Sequence, residues 1–466
     1  MACKVSLTLE TGPGTRYLEG IMSNDIETLI SQLLDAARTA GADGADAGMS
    51  RSEGTSVTVR LGKVESAERS EDVGAALRVF VGKRNASVST SQLDKDSITE
   101  LAERAVAMAK VAPEDPYVRL ATSDEVASDL PEIDLYDPAI PAVEALTHTA
   151  TTVEAAALDN AGITNSEGGS ASHGEAHMMI ATSNGFSANY KRSSQGFSAV
   201  VIAEKDGAME RDYDYSAAVY GVDLDTPEAI GKSAAARTLS RLGPQKPPTG
   251  QFPVIYDQRV SGSIVGTLAG AINGASIARG TSFLKDSMGE QVTSSGLTFI
   301  DDPLRPRGMA SRLFDGEGLP VQKRAMVEDG VLKSWFLDIA SAAKLGLTPN
   351  GQAARGMGSA PAPGSSNFYL ENGDISLDDL IADIDEGFLV TEMMGSSVDM
   401  ITGDYSRGAA GFWISGGKVG HPVSEATIAG NLKDMFKAIT RANDIDMRKS
   451  TAAPSLRIDG MMVAGS

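Results

Sequence analysis

The chain has 466 residues, 42% of them hydrophobic, with few aromatics (5%) and 49 glycines, enough for two or three domains with sizeable cores. A formal net charge of -21 disfavours direct contact with DNA, because affinity there comes from Lys and Arg neutralising phosphates. The single cysteine, Cys3, excludes an internal disulfide framework or a cysteine zinc cluster and fits a reducing cytoplasm.

No basic-then-apolar leader and no apolar run of about 18 or more residues is present, so no membrane segment is expected. Residues 1–21 lack periodicity and are expected to form a disordered tail, Met22 being the more natural start. Asn24 and Glu27 have capping-box spacing and open an amphipathic helix to Ala40, with Ile26, Ile30, Leu33 and Ala37 on its apolar face. From Ala45 to Ser91 the period becomes two, with Val57, Val59 and Leu61 and then Leu77, Val79 and Val81 alternating, which predicts an antiparallel meander. Ser97 and Glu100 open a second helix to about Val111.

The proline- and acid-rich run 112–141 reads as a surface connector. A helix over about 142–160 precedes strand candidates at 162–173, 175–183, 186–204 and 208–220. Thr226-Pro227 starts another helix, with proline at its first position, ending at Leu242-Gly243. The segment 243–251, GPQKPPTGQ, is the clearest linker and divides an N-terminal α+β domain (22–242) of helices and antiparallel sheet from a C-terminal β-rich domain (252–466). Overall the fold class is α+β.

After the strand Phe252–Tyr256 comes RVSGSIVGTLAGAINGASIARG, 259–280, read as one helix. Gly262, Gly266, Gly270 and Gly274 fall four apart and make a ridge without side chains. Each glycine costs about 1 kcal/mol against alanine in a helix, so close approach of another backbone along the ridge is the expected compensation. Its serines, Thr267 and Asn273 make it too polar to span a membrane. Further on, Val327 to Val331 carries an Asp-Gly hairpin signal, 355–366 is a Gly/Ala/Pro/Ser loop, and 377–384 is a short acidic helix. Strands are expected at 389–394, 411–414, 418–423 and 456–462, and a helix at 428–439.

Few constellations carry chemistry. His173, Glu175 and His177 alternate, so a strand places all three on one face where they could hold a metal; the competing reading is a solvated strand face. Asp301-Asp302 and Asp404 are candidate acid/base groups or metal oxygens, of a kind that a chain this acidic also supplies by chance, and His421 reads as structural. No phosphate-binding, dinucleotide or nucleophile-elbow motif stands in a strand-to-helix context.

Four stretches carry a more specific signal: GADGADAGMSRSEGTSVTVRLGKVES (41–66), RGTS (279–282) with Gly289-Glu290, PVSEATIAGNLKDMF (422–436) and APSLRIDGMMVAG (453–465). Together they resemble the TldD/PmbA family, in its PmbA (TldE) branch, over nearly all of 22–465. The resemblance implies a cytoplasmic metalloprotease of two related subunits that processes unfolded peptides, with an older label as a modulator of DNA gyrase. In that family the TldD subunit carries zinc on an HExxxH helix, with a cysteine further along. Matched through RGTS, the three motif positions fall here on Val265, Gly266 and Gly270, none of which can bind zinc or act as a base. The segment DIDMRKST before Ala453 has no cysteine. The resemblance therefore implies a non-catalytic subunit without catalytic, metal or cofactor residues of its own. It would form a heterodimer with a zinc-bearing TldD-like partner, or a homodimer when alone. Alternatives are a metallopeptidase acting through His173, Glu175 and His177, and a regulator of gyrase.

Overall fold

Long alternating strands build the N-terminal half. The computed structural model describes residues 23–356 and 358–465, so the expected tail lies outside the described residues. Strands β1 (Gly44–Arg60), β2 (Lys63–Val81), β3 (Arg84–Thr90), β4 (Ile163–Thr182), β5 (Ser187–Lys205) and β6 (Ala208–Ala218) form one antiparallel sheet in the order β3-β2-β1-β4-β5-β6. The two strand candidates at 162–173 and 175–183 are one strand, because Gly174 sits in register opposite Gly54 and Ser194 without a turn. The β1–β2 hairpin turns at Leu61 and Gly62, both with positive φ, so Leu61 belongs to the turn and not to the strand expected there.

Four helices cover one face of this sheet as two pairs. Ser23–Thr39 and Lys95–Val111 bury Ile30, Leu33, Leu101 and Ala105 against Ala45, Ala47, Met49 and Met179. Val143–Leu158 and Pro227–Ser240 bury Ala150, Val153 and Ala234 against Val57, Val59, Ala171 and Val201. The residues used on β1 and β4 all have odd numbers, so both pairs lie on the same face. The second helix starts earlier than its Ser97 signal: the carboxylate of Asp94 accepts from the backbone N–H of Asp96 and Ser97, and a charged oxygen that takes two orphan donors outcompetes a hydroxyl. Thr226 caps Pro227–Ser240 as its sequence predicts. Residues 112–142 hold no helix or strand and run over the molecule as a strap.

In the C-terminal half β7 (Gly250–Tyr256) lies in a sheet whose order is Lys418–Asn431, Asp404–Ser415, Glu386–Val398, β7, Leu456–Gly465, Ile439–Arg441. Lys418–Asn431 also pairs with Leu456–Gly465, which closes the first five strands into a ring. Asp329 and Gly330, both at positive φ, turn the hairpin between Arg324–Glu328 and Val331–Leu332. The expected helix at 428–439 is shorter: the strand runs on to Asn431, whose side chain caps Leu432–Lys437. The halves meet at a buried ionic cluster. Arg78 Nε lies 2.6 Å from Asp46 Oδ2, Arg355 Nη1 lies 2.5 Å from Asp46 Oδ1, and Arg78 Nη2 lies 3.8 Å from Glu317 Oε1.

The glycine stretch is two helices, Gly262–Ala271 and Gly274–Arg279, not one. Asn273 breaks it: its side-chain oxygen accepts from the N–H of Ala275 and Ser276 and so starts a new helix. Ile264, Val265, Leu268 and Ala271 face the main core with Val254, Tyr256 and Phe368.

Candidate functional site

The glycines divide by what lies against them. A Cβ on Gly262 would stand 2.7 Å from the carbonyl oxygen of Thr451, and one on Gly274 would come closer still to that of Phe336. These two glycines admit a neighbouring backbone, as the spacing predicts. Gly266 and Gly270 do not. At Gly266, which is exposed, the nearest atom would be Thr451 Cγ2 at 3.9 Å; at Gly270 it would be the flexible tip of Met400. Gly270 is therefore covered by Met400, whereas Gly266 is an open position without a side chain.

Beside it lies a cavity of about 390 Å³. One wall is the edge strand β6, through Asp212 and Tyr213; the other is the start of the glycine helix, through Arg259, Gly262 and Ser263. Thr391, Glu392, Met393, Arg407 and Thr451 complete it. Arg259 ties the two walls: its guanidinium lies 3.0 Å from Asp212, donates to the Tyr213 carbonyl and sits 4.7 Å from the centre of the Tyr213 ring. Behind it Arg241 bridges Asp212, Glu210 and Glu392. Burial pushes the Glu210 carboxyl up, with Arg241 opposing it, whereas the carboxylates outweigh burial and raise both arginines.

The three positions matched to the family's zinc motif do not converge. Val265 is fully buried in the core, Gly266 faces solvent and Gly270 faces Met400. The structure does bring Thr451, the end of DIDMRKST, against Gly262 and Gly266, so the two segments that the motif would join are neighbours here. Zinc, which a metallopeptidase fold implies, does not fit these residues: none of the three carries a donor atom, and Thr451 supplies only a neutral hydroxyl.

His173, Glu175 and His177 lie elsewhere, in the polar band of β4 between the two helix pairs. An extended strand carries residues four apart to about 13 Å, too far for two ligands of one ion at about 2.1 Å each. Glu175 accepts from the Tyr136 hydroxyl (3.0 Å), and His177 shares a hydrogen bond with Asn189. His173 is 6% exposed, its Nε2 has no partner, and burial holds its pKa down. Among the described residues no group of three or more His, Cys, Asp or Glu is arranged to hold a metal. Asp301 is buried, accepting from Gln352 and the Ser366 N–H, and Asp404 is held by Thr402 and Asn431, which lower its pKa. Both stand away from the cavity lining. Sequence reading missed Asp212, Tyr213 and Arg407, which only the packing of β6 and Asp404–Ser415 against the glycine helix brings together. No helix among the described residues is long and apolar enough to cross a membrane.

Three family models match in succession: PmbA/TldA metallopeptidase domain 1 over residues 45–109, the central domain over 136–242 and the C-terminal domain over 249–465. The chain is 38% identical over 442 residues to the metalloprotease PmbA of Escherichia coli O157:H7, covering 94% of this chain and 96% of that protein. A crystal structure from Bacteroides thetaiotaomicron, described as a candidate modulator of DNA gyrase, superposes with a TM-score of 0.88 at 28% identity, over 96% of this chain and all of the other. TldE from Thermococcus kodakarensis shares the fold, with a TM-score of 0.83 at 21% identity over 94% of this chain and all of the other. With three consecutive domain matches and a relative this similar along almost its whole length, the chain belongs to the PmbA/TldD metallopeptidase family.

Proposed function

We propose that this chain is the non-catalytic subunit of a cytoplasmic peptide-processing assembly, paired with a zinc-bearing TldD-like homologue. One observation carries the reading: the helix that would hold zinc presents a core valine, an open glycine and a glycine under a methionine. Such residues can neither lower the pKa of a bound water nor polarise a carbonyl. What the chain retains is the shape around them, an open position at Gly266 beside a half-enclosed cavity, which can receive part of an extended unfolded peptide.

The test has two parts. Zinc content of the untagged chain purified alone should be near zero, and the chain should be inert on unfolded peptides. Co-expressed with a TldD-like homologue it should co-purify with it and the pair should cleave. About one zinc per chain, lost on His173→Ala, would instead make β4 a metal site and overturn the reading.

A further inference from the structure

A second cavity, of about 550 Å³, opens on the helix-covered face of the N-terminal sheet. Its floor is Glu53 and Thr55 of β1, Arg69 of β2, and His173 and Glu175 of β4. Glu53 and Glu175 stand directly opposite each other across β1 and β4, which costs stability when both are charged. Glu53 is answered by Arg51 and Arg69, and Arg69 also meets Glu71. Glu175 has no ion pair among the described residues; it accepts from the Tyr136 hydroxyl at 3.0 Å. Counting the flanking charges as well, Glu53, Glu71, Asp137, Glu144 and Glu175 meet Arg51, Arg69 and Lys191, which leaves two carboxylates over. Glu144 sits in the first turn of the helix Val143–Leu158, at its positive end, so Glu175 is the carboxylate without compensation. Glu68 also borders the cavity, but by alternation its side chain belongs to the other face. Beside Glu175, His173 is 6% exposed and its Nε2 has no partner. Burial lowers its pKa against the pull of Glu175 and Asp137, so the ring is neutral at pH 7; with its proton on Nδ1, Nε2 is an acceptor.

We infer that this cavity binds a primary ammonium ion carried on an apolar group, with Glu175 as its counter-ion and His173 as a second acceptor. An ammonium brings three donors and no acceptor. His173 and Glu175 are next neighbours on one face of β4, about 7 Å apart along the strand, and hydrogen bonds of about 2.9 Å to each let one nitrogen bridge them. Thr55, opposite His173 in the register, supplies a hydroxyl for the third donor. A guanidinium fits less well, because its fork calls for both carboxylate oxygens and Tyr136 already holds one of them. The rim is apolar: Ile140, Pro141 and Val143 border the cavity, with Ile140 and Val143 exposed, and would cover the carbon chain next to the amine. The N-terminal amine of a peptide that begins with an apolar residue and the side chain of a lysine share this chemistry. The inference stands on β4 and the strap, apart from the proposed subunit role.

The experiment uses the isolated full chain, titrated calorimetrically and by NMR at pH 7 with Leu-Ala-Ala amide bearing a free N-terminal amine, with its N-acetyl form, and with acetyl-Ala-Lys-Ala amide. The free amine should bind at least tenfold more tightly than the acetylated peptide. Equal affinity of the lysine peptide would identify a side-chain amine as a second source of the same ion. Glu175→Gln should abolish the preference for the amine, and His173→Leu should weaken it severalfold. Equal binding of the amine and its acetylated form, or no binding of the amine at millimolar concentration, would overturn the inference. So would a preference that persists in Glu175→Gln, which would reflect only the pull of a chain of net charge -21. Should Glu175→Gln fail to fold, the comparison of amine with acetylated peptide on the unaltered chain still decides. Failure to pair with a TldD-like homologue would sink the subunit proposal and leave these titrations standing.

Discussion

Replacing Glu317 by glutamine should change how stability depends on pH. Glu317 is 6% exposed, at the junction of the two halves. Burial, with Arg78 opposing it and Asp315 adding to it, raises its pKa from 4.5 to about 8. A native carboxyl with a raised pKa binds a proton that the unfolded chain has released, so its contribution is complete below about pH 4.5 and is lost as pH climbs to 8. At about 1.4 kcal/mol per pH unit, the interval amounts to about 5 kcal/mol. The Glu317→Gln side chain would keep an oxygen for the Ile339 N–H, which Glu317 Oε2 now accepts at 2.8 Å, and would carry no titration. The assay is denaturant unfolding of both proteins at intervals from pH 4.5 to 9. The stability of the glutamine variant relative to the parent should rise by several kcal/mol up to pH 8 and then level off. A difference that stays flat would refute the claim that Glu317 is held protonated at neutral pH, and with it this account of the Arg78–Asp46–Arg355 junction.

Other outcomes rest on the same kinds of contact. Gly262→Ala and Gly274→Ala should each destabilise by about 1–3 kcal/mol, because the new methyl meets a backbone oxygen that cannot move aside, whereas Gly266→Ala should stabilise by up to about 1 kcal/mol through helix propensity; thermal unfolding of the three variants checks the order. His173→Leu should be neutral or stabilising at pH 7, since Nε2 is buried without a partner. Its advantage should widen as pH falls below 6.5, because a base whose native pKa is depressed costs stability when the unfolded chain takes up the proton; an advantage independent of pH would argue against a buried neutral imidazole. Arg259→Ala should loosen β6 from the glycine helix, seen as faster hydrogen exchange at Asp212 and Tyr213 with the rest of the sheet unchanged.

Wherever local chemistry decides, the chain is readable. The apolar stripe from Ile26 to Ala37, Pro227 after Thr226, and Asp329-Gly330 all act within a few residues of themselves, and each forms the element its pattern predicts. The departures are contests between two local signals or between a local and a distant one. Asp94 displaces Ser97 as a cap because its carboxylate serves two N–H groups. The glycine stretch splits at Asn273 because that side chain caps a second helix while Gly274 docks under the Phe336 carbonyl, a contact that no window of sequence contains. The His173–Glu175–His177 pattern shows residue types and face correctly but says nothing of spacing along an extended strand, and spacing is what keeps the three apart.

The cleft shows the same division more sharply. Four glycines at one spacing read as a single device for close packing, yet the structure gives that explanation to only two of them. Gly262 and Gly274 offset their conformational cost by admitting backbone oxygens. Gly270 leaves room for the tip of Met400, which a Cβ would meet at 2.8 Å; Gly266 has no such return and forgoes about 1 kcal/mol of helix propensity where the nearest atom would be Thr451 Cγ2 at 3.9 Å. Packing cannot account for the side chain left out at Gly266, where there is room for it. A requirement for open space can, and Thr451, Arg407 and the edge of β6 gather around that same space. The residues that define the cleft are thus legible as an unexplained cost in the sequence, while those that would charge it, Asp212, Arg259 and Arg407, become a group only once the sheet edge and the helix are in place.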